Sequence, residues 1–172
     1  MPLHRQTEEH TAPERRWDLS SYRALLVDGD DMQRLTVARH LSATDIAIEE
    51  AHNAAEGIEL AHHRPYDVIV FDMQLPDDDG LGFARAIRSD PALTRTRLLL
   101  LTSVGRRRQD IIAFQTAGIE AFVMKPLRRT HLCESVARLL TAESVPALTQ
   151  VVDEEPPRPT RARVLLVEDN SV

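Results

Sequence analysis

Short unbroken apolar runs recur along the chain, each followed by a stretch with apolar residues three or four apart. The runs Ala24-Leu25-Leu26-Val27, Val68-Ile69-Val70-Phe71, Leu98-Leu99-Leu100-Leu101 and Ala121-Phe122-Val123-Met124 contain no polar residue. A run of four bounded by turn residues reads as a strand buried on both faces. Ile46-Ala47-Ile48-Glu49-Glu50-Ala51 alternates and reads as a further strand, second in chain order. The intervening segments predict helices over 32–42 (Leu35, Ala38 and Leu41 in phase), 54–63 (Ala55, Ile58, Ala61) and 81–89 (Phe83, Ala86, Ile87). Two more are predicted over 107–117 (Ile111, Ile112, Phe114) and 129–140 (Leu132, Val136, Leu139). Gly118 is placed to stop the fourth helix, and Pro91 lies past the third. Five strands alternating with five helices predict an α/β fold, a doubly wound five-stranded parallel sheet covered on both faces.

The same pattern divides the chain. Residues 1–20, with Pro2, Pro13 and mixed charge, read as a flexible lead-in, and residues 21–142 hold the α/β domain. Residues 143–162 carry acidic residues and three prolines within 151–159, the composition of an extended, semi-stiff linker. Arg163-Val164-Leu165-Leu166-Val167-Glu168-Asp169-Asn170 then repeats Arg23-Ala24-Leu25-Leu26-Val27-Asp28-Gly29-Asp30. So wide a spacing signals a duplicated domain rather than a solenoid. Residues 163–172 are therefore read as the first strand of a truncated second copy, and the chain as a piece of a longer protein.

Composition narrows the function classes. A 42% apolar content suffices for a packed core. A formal net charge of −6 with no extended basic, aromatic-interleaved stripe argues against nucleic acid. Arg106-Arg107-Arg108 reads as a solvated helix start. One cysteine, Cys133, excludes an intramolecular disulfide and suits a reducing compartment. The charged N-terminus is no secretory signal, and the Leu98–Leu101 run is far short of the roughly 20 apolar residues of a membrane helix, so a cytoplasmic location is expected. His10 suggests a phosphorylated histidine only in isolation, since no amphipathic helix pair surrounds it.

Candidate chemistry gathers at the ends of strands. Asp28 follows the first, Asp72 the third, Thr102 the fourth and Lys125 the fifth. Singly these residues have plainer readings: a turn former, a helix cap, a surface lysine. In a doubly wound sheet, however, the carboxyl ends converge on one crevice. Carboxylates gathered there repel one another and favour a hard cation such as Mg²⁺, which takes oxygen ligands and keeps several waters. A carboxylate beside such a cation is a plausible nucleophile toward phosphorus, giving an acyl phosphate. A hydroxyl and a lysine then suit the transferring oxygens.

Over residues 22–142 the chain resembles the response-regulator receiver domain of two-component phosphorelays. Asp72-Met73-Gln74-Leu75-Pro76 with Asp79-Gly80 is similar to that family's phospho-acceptor loop. Thr102 matches its hydroxyl position, Phe122 its rotating aromatic, and Lys125-Pro126 its lysine–proline pair. The resemblance implies the (βα)5 flavodoxin-like fold, and a histidine kinase or phosphotransfer domain, in cis or in trans, that donates from phosphohistidine to Asp72. It implies metal ligation by Asp28 (usually through a bridging water), Asp72 and the backbone carbonyl of Gln74, and a switch through Thr102 and Phe122 to the face of the fourth helix and fifth strand. Trp17-Asp18-Leu19-Ser20 and the repeat at 163–170 look like the tandem receivers of hybrid histidine kinases, with a neighbouring receiver as a further partner. One position departs. Where the family has two acids after the first strand, this chain has Asp28-Gly29, whereas the partial second copy has Glu168-Asp169. Weak Mg²⁺ binding and slow or absent phosphorylation are expected, with Asp30 and Asp31 as substitute ligands lying further along the loop.

Two readings stay open. One is a phosphorylatable receiver using Asp72. The other is a degenerate receiver acting as a phosphorylation-independent docking or regulatory module of a hybrid kinase, or as a binder of a nucleotide messenger. A third resemblance, of Asp28-Gly29-Asp30 to the nucleophile motif of haloacid-dehalogenase-type phosphatases, lacks the later acidic pair on a strand that those enzymes need.

Overall fold

The four apolar runs form the centre of one sheet in the computed structural model, which describes residues 17–104, 107–141 and 149–150. The order is β1 (Arg23–Val27), α1 (Asp31–Ser42), β2 (Ala47–Ala51), α2 (Ala54–His63), β3 (Val68–Asp72), α3 (Gly80–Ser89), β4 (Arg97–Thr102), α4 (Arg108–Thr116), β5 (Ala121–Met124) and α5 (Arg129–Thr141). A 3₁₀ turn at Pro91–Leu93 leads into β4. The described strands pair in parallel in the order β2-β1-β3-β4-β5, with the two-residue β6 (Thr149–Gln150) beside β5. β6 lies within the stretch read as linker. The repeat at 163–170, most of the linker, His10 and Arg106 lie outside the described residues.

Every residue of β3 is buried, because successive side chains enter opposite cores. Ile69 and Phe71 join Leu25, Val27, Leu98, Leu100 and Phe122 against Ala54, Phe83, Ile87 and Phe114. Val68 and Val70 join Ala24, Leu26, Leu99 and Leu101 against Val37, Leu41, Leu132 and Val136. Two covered faces explain why the runs show no alternation.

Four helices depart from the expected faces. In α2 Ala55 is exposed while Ala54 and Gly57 are buried, and in α3 Ala86 is exposed while Ala84 is buried. In α1 the buried residues are Arg34, Val37 and Leu41, while Leu35 is exposed. Apolar counting passes over Arg34, which is buried because its guanidinium is satisfied three times. Its Nη1 donates to the Asp28 carbonyl at 2.8 Å, its Nε to Glu50 at 2.8 Å and its Nη2 to Asp31 at 2.6 Å. In α4 only Phe114 is fully buried; Ile111 packs at the core margin and Ile112 is exposed. Leu19, grouped by sequence with the lead-in, is 1% exposed, and its N–H donates to the Thr44 carbonyl at 2.7 Å.

Candidate functional site

The sheet order reverses between β1 and β3, so the chain leaves their carboxyl ends in opposite directions and opens a crevice there. Asp28 stands one residue beyond β1, its N–H donated to the Ala51 carbonyl at 3.1 Å. Asp72 is the last residue of β3 and pairs in register with Leu101. Thr102 closes β4 opposite Met124, the residue before Lys125.

Lys125 Nζ donates to Asp72 Oδ2 at 2.7 Å, and Asp72 is only 7% exposed. The side-chain amide of Gln33, in the first turn of α1, donates to that same oxygen at 2.8 Å and to Asp28 Oδ2 at 2.5 Å. Asp28 Oδ1 accepts the N–H of Asp30 at 2.8 Å. Burial pushes the Asp28 carboxyl above its ordinary range, and the neighbouring charge of Asp72 adds to this. The hydrogen bonds from Gln33 and Asp30, with the charge of Lys125, act in the other direction.

The loop after β3 folds back against Asp72. Asp79 caps α3, its Oδ1 accepting the Gly82 N–H at 2.5 Å. The Gly80 N–H donates to the Met73 carbonyl at 2.7 Å. A Cβ on Gly80 would lie 2.8 Å from the Asp72 carbonyl oxygen, so only glycine permits this close return. Asp77 reaches across the crevice to cap α2, accepting the N–H groups of Ala54 at 2.8 Å and Ala55 at 2.9 Å. Burial acts against the Asp77 carboxylate, yet these two bonds hold it below its usual range. The Gln74 N–H faces Asp72 Oδ1 at 3.4 Å.

Thr102 is fully buried, and its hydroxyl oxygen accepts the Val104 N–H at 3.0 Å. Phe122 is also fully buried and meets Phe114 of α4 edge-on, with ring centroids 5.4 Å apart.

Asp28, Asp72 and Lys125 are thus brought into one bonded group. The carboxylates of Asp30 and Asp31 do not join it. Asp30 caps α1 by accepting the Gln33 N–H at 2.9 Å, and Asp31 pairs with Arg34 at 2.6 Å. At Gly29 an added Cβ would lie 2.7 Å from Pro76 Cδ, so the proline ring fills the place where a second acidic side chain would begin. Among the described residues, no three His, Cys, Asp or Glu side chains converge to hold a metal ion. Asp28 and Asp72 nevertheless lie close enough for one amide nitrogen to reach both, which fits Mg²⁺ held by one or two carboxylates with retained waters. Pattern reading missed Gln33 and Arg34, and gave no sign that Pro76 packs against Gly29. The signal available for Gln33 was its position one helical turn beyond Gly29.

The family model described as Response regulator receiver domain matches residues 24–137. A gliding motility regulatory protein of Myxococcus xanthus is 32% identical over 103 residues, 60% of this chain and 13% of that protein. The transcriptional regulatory protein ResD of Bacillus subtilis is 30% identical over 120 residues, 70% of this chain and 48% of that protein. The chain therefore spans less than half the length of these relatives. The chemotaxis response regulator CheY4 of Vibrio cholerae superposes with a TM-score of 0.65 at 24% identity, covering 69% of this chain and 98% of that one. The receiver domain of a signal transduction histidine kinase from Syntrophus aciditrophicus superposes with a TM-score of 0.65 at 23% identity, covering 76% and 99%. At these identities the two structures speak for the fold alone. Among the described residues no helix is long and apolar enough to cross a membrane.

Proposed function

The chain belongs to the response regulator receiver family of two-component signalling, and on that premise we propose that it accepts a phosphoryl group on Asp72. The observation that carries the reading is the ion pair between Asp72 Oδ2 and Lys125 Nζ at the carboxyl edge of the sheet, 2.7 Å long. A donor phosphohistidine on a histidine kinase or phosphotransfer domain, in cis or in trans, is attacked at phosphorus by an Asp72 oxygen. The phosphorus–nitrogen bond breaks, the imidazole leaves and takes up a proton, and an acyl phosphate remains on Asp72. Lys125 offers its charge to the transferred oxygens, and the Thr102 hydroxyl is placed on the neighbouring strand to hydrogen-bond them. Mg²⁺ held weakly by Asp28, Asp72 and the Gln74 carbonyl would neutralise those oxygens when bound. Phe122, packed on α4, couples the state of Thr102 to the α4–β5 face.

Incubating the chain with acetyl phosphate and Mg²⁺ tests this by intact mass. The expected result is one added phosphoryl group that Asp72→Asn abolishes. No addition, while a control receiver is modified in parallel, overturns it.

A second reading draws on Gly29 and Pro76. With the ligand position closed by the proline ring, the domain serves as a phosphorylation-independent docking module in a hybrid histidine kinase, beside a neighbouring receiver. Unaltered partner binding by Asp72→Asn would favour it.

A further inference from the structure

We propose that Gln33 is the positioning residue that sets the cation affinity of this site. Its amide N–H pair ties together Asp28 and Asp72, the two carboxylates that would hold a divalent cation here. The inference rests on Asp28 and Asp72 forming the reacting edge.

One nitrogen, Nε2, makes both bonds, at 2.5 Å to Asp28 Oδ2 and 2.8 Å to Asp72 Oδ2. Ionised carboxylates only accept, so the amide faces them through its nitrogen and uses both of its hydrogens. Each bond is charge-assisted. Asp28 and Asp72 are 1% and 7% exposed, so little water is available to screen one charge from the other. Lys125 pairs directly with Asp72, whereas the donors to the Asp28 side chain are Gln33 and the Asp30 N–H. The backbone of Gln33 is fixed independently, because its N–H is the one that the Asp30 cap accepts. Its side chain is partly exposed at the helix start.

Asp72 Oδ2 accepts from both Lys125 and Gln33, which fills its two lone pairs, so a cation taking that oxygen would displace a donor. Binding is therefore an exchange, in which the carboxylates release the amide as they take the ion. Two features then weaken the same equilibrium: Gly29 withholds a carboxylate, and Gln33 competes for the two that remain.

Calorimetric titration of Mg²⁺ into the 172-residue chain, with no phosphodonor present, tests the proposal. Gln33→Leu removes the competitor at similar size and is expected to bind Mg²⁺ about tenfold more tightly, the effect of losing one hydrogen bond to a charged group. The same variant is expected to melt at a lower temperature than the parent in EDTA and to recover more on adding Mg²⁺, a rescue that a merely structural role would not produce. Gln33→Glu, which adds a third carboxylate at the edge, is expected to gain still more affinity. Equal or weaker Mg²⁺ binding by Gln33→Leu overturns the proposal. Gln33→Met provides the same comparison if the leucine variant fails to fold. Failure of phosphoryl transfer to Asp72 would leave these binding results standing, so the two claims fail separately.

Discussion

At the scale of single residues, Gly29 and Pro76 decide what the site lacks. An aspartate at position 29 would restore the second acid, but its Cβ would meet the Pro76 ring. Gly29→Asp alone is therefore expected to destabilise the domain by about 1–3 kcal/mol through overpacking, read by urea denaturation, with little gain in Mg²⁺ affinity. Combining it with Pro76→Ala is expected to recover stability and tighten Mg²⁺ binding by calorimetry. A single variant that is stable and binds tightly would show that the loop yields freely. Asp28, Asp72, Thr102 and Lys125 were legible in the sequence because each ends an apolar run. Gln33 was not, because its reach depends on the phase of α1. Apolar counting turned Leu35 inward, whereas the satisfied guanidinium of Arg34 takes the core side.

At the scale of elements, the loop after β3 is held by helix caps. Asp77 ties the loop after β3 to the first turn of α2 through two backbone N–H groups. Asp77→Ala is expected to cost about 1 kcal/mol, the ordinary worth of a lost cap. Because the folded state holds this carboxyl below its ordinary value of 3.8, its contribution is present above that value. It is lost as the pH falls through the depressed one. Denaturant titrations of parent and variant should differ at pH 7 and converge in acid; a gap that widens on acidification would contradict the cap. The acid-rich sequence Pro76-Asp77-Asp78-Asp79-Gly80 announced a turn and a helix start. It gave no sign that one acid caps the next helix and another a helix across the crevice, since that pairing exists only once β1 and β3 lie side by side.

At the scale of the whole molecule, the alternation of runs and amphipathic stretches was enough to read a doubly wound parallel sheet, because both faces are covered and each core has its own periodicity. The N-terminal edge was less legible: Leu19 stands alone among polar neighbours, yet it fills the core beneath α1 and α5. Leu19→Ala is expected to cost about 2–5 kcal/mol, and an unchanged denaturation midpoint would place that residue outside the folded unit. The central claim is that the acceptor is intact while its cation cradle is short of one carboxylate and contested by Gln33. The most direct measurement is the Mg²⁺ dependence of Asp72 phosphorylation by acetyl phosphate, followed by intact mass beside a receiver with a complete acidic pair. The expected result is modification that Asp72→Asn abolishes and that half-saturates at a clearly higher Mg²⁺ concentration than the control. Half-saturation at the control's concentration, or no modification at any Mg²⁺ concentration, would contradict it.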